Sequence, residues 1–123
     1  MYVSGFVIPV PDGNKEAYRE VARKFWEIAK DFGALSQIEC WEADIKDGEH
    51  TDFRTAVKAE AGEKIVFSWM TWPDKATADA SHDKIMADPR MEEQFGSADG
   101  SAMPFDGKRM IYGGFEPLFT GEV

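Results

Sequence analysis

The chain has 123 residues, 14 basic against 23 acidic side chains and a net charge of −9. That length fits one domain, residues 1–123, with a core that needs no staples, and 43% hydrophobic against 30% charged residues excludes a disordered chain. The acid excess has no compensating basic patch, so nucleic acid is excluded as an expected partner.

Cys40 is the single cysteine; it rules out an intramolecular disulfide and fits a reducing compartment. No run approaches the length of a membrane span, and the N-terminus reads as a strand rather than a leader. A cytoplasmic protein with no membrane partner is the expectation.

Tyr2–Val10 reads as the first strand, ended by Pro9 and Pro11, which cannot donate to a ladder. Asp12 or Asn14 then caps a helix to about Phe32. Its apolar positions Tyr18, Val21, Ala22, Phe25, Ala29 and Phe32 keep helical spacing, and Gly33 stands where a left-handed residue ends a helix. Leu35–Ile45 alternates loosely as a second strand. A polar loop, Lys46–Phe53, and a short helical turn within Arg54–Glu60 follow.

Lys64–Pro73 is the central strand, rich in β-branched and aromatic residues. Asp74 caps a second helix, Lys75 to about Ala87, closed by Pro89. Arg90–Phe95 adds a turn of helix, Gly96–Ala102 is a polar loop, and Lys108–Phe119 is the last strand. The order β-α-β-β-α-β predicts an α+β, ferredoxin-like sandwich: one antiparallel sheet with both helices on one face.

Alternate side chains of a strand point to opposite faces. Ile65, Phe67, Trp69 and Thr71 share one face of the central strand; Val66, Ser68, Met70 and Trp72 share the other. Both sets are mostly apolar, and one chain's helices cover only one face. The expected cover for the other is a second copy of the chain, a homodimer.

The segments MYVSGFVIPVP, GALSQIECWEADI, IVFSW, IMADPRM and, above all, MPFDGKRMIYGGF resemble a family of small bacterial proteins of undetermined function. Some members carry the label "RNA signal recognition particle" protein, which the acidity of this chain argues against. The family sits in the dimeric α+β barrel superfamily, beside the antibiotic-biosynthesis monooxygenases. The resemblance implies the barrel and the dimer; it implies no reaction.

Candidate chemistry is sparse. His82 lies on the second helix near Ala78, Ile85 and Met86, at the expected edge of the helix–sheet seam, where a neutral imidazole can serve as a general base. The competing reading is an ordinary boundary histidine. Cys40 is flanked by Glu39 and Glu42, which disfavours a nucleophilic thiolate. Two distant histidines, His50 and His82, and one cysteine match no metal spacing, so neither metal nor other cofactor is expected.

Trp69, Trp72, Tyr112 and Met86 are the candidate ligand-binding residues, for a flat hydrophobic molecule held between the thinly filled second helix and the sheet. Gly113-Gly114 inside the last strand points to a bulge or a subunit contact ahead of ligand approach. Three functions fit: a cofactor-independent, monooxygenase-like enzyme, a small-molecule binder, and a structural dimer without ligand.

Overall fold

The computed structural model describes residues 1–96 and 103–123. Its elements run β1 (Tyr2–Pro11), α1 (Lys15–Ala29), β2 (Ser36–Trp41), α2 (Phe53–Ala56), β3 (Glu63–Trp72), α3 (Lys75–Ala87), α4 (Pro89–Phe95) and β4 (Ile111–Phe115). The sheet order is β2-β3-β1-β4, and every neighbouring pair is antiparallel. β1 and β2 therefore run parallel with β3 between them. This is the ferredoxin-like α+β arrangement expected from the element order.

The register decides which residues meet. Tyr2 pairs with Trp72, Ser4 with Met70, Phe6 with Ser68 and Ile8 with Val66. These side chains share the face under the helices, where Val66, Ser68, Met70 and Trp72 are all buried. The core has two parts: Ile28, Met70, Trp72, Ile85 and Phe95 on one side, Ile8, Val10, Tyr18 and Val66 on the other. On the opposite face Phe67 is 46% exposed, Ile111 44% and Phe115 60%.

Local signals explain most boundaries. The Asp74 carboxylate accepts from the Thr77 backbone N–H at 2.7 Å and starts α3. Pro89 stands in the first turn of α4 behind the capping Asp88. Gly33 has a φ of 106°, and a Cβ there would fall 2.6 Å from the Thr77 methyl group.

Three details depart from expectation. A 3-10 turn at Asp12–Asn14 precedes α1, and the Asn14 side chain leaves the helix uncapped, donating instead to the Pro104 carbonyl at 2.8 Å. The last strand ends at Phe115, because Pro117 lacks the N–H a further rung needs. Gly113-Gly114 makes no bulge: β4 pairs with β1 in unbroken register. The Tyr2 hydroxyl lies 1.6 Å from where a Gly114 Cβ would stand, so that glycine admits a neighbour's ring. Among the described residues no helix is long and apolar enough to cross a membrane.

The segment before β4 is held by charge. Arg109 donates to both carboxylate oxygens of Glu63, at 2.6 and 2.7 Å, and to Asp106 at 3.1 Å. Glu63 is 8% exposed, and Arg109 holds its carboxyl below the usual carboxylate range. Arg109→Ala leaves that carboxylate buried and unpaired, and should cost about 2 kcal/mol in urea unfolding. A carboxyl with a depressed folded pKa stabilises above its unfolded value of about 4.3, and that contribution fades as pH falls through the folded value. The difference between wild type and variant should therefore shrink below about pH 4.

Candidate functional site

The fold leaves a cavity of about 640 Å³ between α1 and the sheet. Phe6, Ile8, Ser68 and Met70 form its floor, and Tyr18, Val21, Ala22 and Phe25 of α1 form one wall. Glu92 and Phe95 of α4 and Met103, Phe105 and Met110 of the segment before β4 complete its lining. Five of the six methionines line it, all but Met1. Thioether side chains are flexible and polarisable, and they fit their shape to apolar and aromatic surfaces.

Within this apolar lining one polar group stands out. The Tyr18 hydroxyl donates to Glu39 Oε1 at 2.5 Å, and Gln37 Nε2 donates to Glu39 Oε2 at 3.0 Å. Gln37 Nε2 also donates to the Ala22 carbonyl at 3.2 Å, so both its partners are acceptors and the amide orientation is set. Ser68 stands directly opposite Glu39 in the ladder, and its hydroxyl favours the charged carboxylate.

Burial pushes the Glu39 carboxyl above its usual range, and Tyr18, Gln37 and Ser68 pull against that. Tyr18 is 7% exposed; burial first, and the neighbouring carboxylate second, push its hydroxyl pKa up. Tyr18 stays a donor. Tyr18, Ala22, Gln37 and Glu39 also line an open groove of about 580 Å³ beside β2, so the polar cluster forms the wall between the two spaces. Lys15 and Trp41 border that groove, the ammonium 5.6 Å from the ring centre.

The residues named from sequence do not gather at this site. His82 is exposed on α3, outside the lining of the cavity and groove, and its expected inward position is taken by Ser81, which is 2% exposed. Trp72 is core, 4% exposed, its indole N–H donating to the Ser4 hydroxyl at 3.1 Å. Trp69 lies on the far face of the sheet, against Phe67. Tyr112 is 73% exposed and stacks on Phe6 with ring centres 6.3 Å apart. Met86 alone of the five reaches the cavity, at its edge and 59% exposed.

The cavity lies against the first helix instead of the second, for a packing reason. Ala78, Ser81 and Ile85 are small enough for Trp72 to fill the space beneath α3, whereas the bulk of Tyr18 and Phe25 props α1 off the sheet. Of the two polar loops, Lys46–Phe53 contributes nothing to the lining. The other, Gly96–Ala102, lies outside the described residues after Gly96. Sequence reasoning missed Tyr18, Gln37 and Glu39. The available signal was a pair of polar residues, Gln37 and Glu39, on the inner face of a strand that otherwise faces apolar helix positions. Among the described residues no cluster of His, Cys, Asp and Glu has the makings of a metal site.

Comparison with solved structures agrees on the fold. A dimeric ferredoxin-like protein from an uncultured marine organism matches with a TM-score of 0.55 at 13% identity, covering 99% of this chain and 97% of the other. An uncharacterized NIPSNAP domain protein from Burkholderia xenovorans matches at 0.56 and 12%, covering 99% and 100%. In sequence, the uncharacterized protein YbaA of Escherichia coli K12 is 56% identical over 117 residues, covering 95% of this chain and 96% of the relative. YbaA of Shigella flexneri gives the same figures. The profile of one family, described as a protein of unknown function (DUF1428), matches residues 1–107. With that match over most of its length, this chain belongs to the DUF1428 family.

Proposed function

We propose that this protein is a cytoplasmic homodimer that binds a small hydrophobic or aromatic molecule in the cavity between α1 and the sheet. The observation that carries this reading is the cavity itself. It is of ligand size, apolar almost throughout, and has one convergent polar cluster, the composition typical of small-molecule sites. Glu39 supplies the base that a cofactor-independent, monooxygenase-like reaction on such a molecule needs. The free, half-buried Cys40 suits a reducing compartment.

The dimer rests on the uncovered sheet face. Phe67, Trp69, Ile111 and Phe115 border an open apolar hollow of about 750 Å³ there, and one of the structural neighbours is described as dimeric. Two such faces laid together complete a barrel.

N-phenylnaphthylamine, a neutral dye that brightens in apolar surroundings, tests the binding reading. Its fluorescence should rise and saturate at one dye per chain. Ala22→Phe, which pushes a ring into the cavity, should abolish that saturation while leaving a cooperative melt. No saturable signal, or one untouched by Ala22→Phe, would end the reading.

A further inference from the structure

We infer that the molecule bound in this cavity carries a neutral hydroxyl group, of phenol type, which donates a hydrogen bond to Glu39. The inference rests on the binding reading above and adds the chemical class of the ligand.

The argument is a count of donors and acceptors. Tyr18 spends its one hydroxyl hydrogen on Glu39 Oε1. Gln37 spends its amide hydrogens on Glu39 Oε2 and the Ala22 carbonyl. The Ser68 hydroxyl stands across the ladder from Glu39 and favours its charged form. The Tyr18 and Gln37 donors are thus consumed within the protein. A carboxylate has about four lone-pair positions and a phenol oxygen keeps its own. Two donors reach Glu39, and the Gln37 amide oxygen is buried without a partner, so among the described residues what remains around Glu39 is mainly acceptor capacity, on Glu39, Gln37 and the Tyr18 oxygen.

Charge narrows the class further. Glu92 adds a second carboxylate to the lining, and among the described residues no lysine or arginine lines this cavity. A carboxylic acid would meet like charge and no donor. An ammonium would find an acceptor, but its desolvation in a methionine- and phenylalanine-lined space is a cost that a neutral O–H avoids. An ether or plain hydrocarbon would leave the acceptor of a half-buried carboxylate without a partner, which disfavours it. The aromatic body follows from the lining, since thioethers and the Phe6, Phe25 and Phe105 rings favour a polarisable, flat partner.

Naphthol, its methyl ether and naphthoate separate the possibilities, because they share one ring system and differ only in the polar group. Calorimetric titration of the whole protein should show naphthol at least about tenfold tighter than the ether, with no heat from naphthoate. Glu39→Gln should remove the preference for naphthol and leave the affinity for the ether unchanged. Tyr18→Phe keeps the carboxylate and frees one of its lone pairs, so it should widen the preference for naphthol; it serves as a second variant should Glu39→Gln melt early. An ether that binds as tightly as naphthol to wild type would overturn this inference and leave the binding reading standing. Failure of all three compounds to bind would overturn both.

Discussion

Trp72→Ala is expected to cost about 4 kcal/mol of folding stability and to lower the melting temperature by about 15 °C. Trp72 is 4% exposed and packs in the cluster that holds Ile28, Ile85 and Phe95 together, so its truncation empties the space under α3. Its indole N–H also leaves the Ser4 hydroxyl without a partner. Trp72→Phe keeps most of the bulk and should cost less than half as much. Because Trp72 is not in the cavity lining, neither variant should change the dye affinity of the folded fraction. Denaturant melts followed by a dye titration on each variant measure both effects. A Trp72→Ala protein of normal stability that has lost its ligand would return this tryptophan to the site.

Phe67→Asp is expected to weaken self-association by about a thousandfold, giving a species of single chain mass in light scattering at micromolar concentration where wild type gives twice that mass. Phe67 stands near the middle of the uncovered sheet face, in contact with Phe53 and Trp69. A dimer through this face needs more than about 2,000 Å² of buried surface, mostly apolar, and an unpaired carboxylate at its centre is strongly unfavourable. The fold of one chain should tolerate the change, since Phe67 is already 46% exposed. A wild-type chain that scatters as a monomer would remove the dimer.

The fold was legible because its signals are local. The apolar spacing of Tyr18, Val21, Phe25 and Ala29, the left-handed Gly33 and the capping Asp74 each act within a few residues, and each sits where expected. The two faces of β3 were legible for the same reason, since side chains alternate whatever covers them. The site was not. Tyr18 meets Glu39 across 21 positions, and nothing in either neighbourhood announces the other. How much space the bulky side chains of α1 leave depends on how far they hold the helix from the sheet. His82 and Ser81 are adjacent, and the rotation of α3 that buries Ser81 and exposes His82 is set by packing on Trp72 and Ile85. In the folded chain Glu39 is walled in by Tyr18 and Gln37, and the Glu42 carboxylate accepts from the Ile65 backbone N–H at 2.9 Å and pairs with Arg54.

The methionines provide the most direct test of the cavity as a ligand site. Met70, Met86, Met91, Met103 and Met110 line it, while Met1 lies by the uncovered sheet face. With carbon-labelled methionine methyl groups, six resonances report on the two places at once. Naphthol should shift the resonances of the five lining residues together, with one saturation curve, and leave Met1 unmoved. A shift at Met1 alone, or no saturable shift among the five, would contradict the cavity as the binding site.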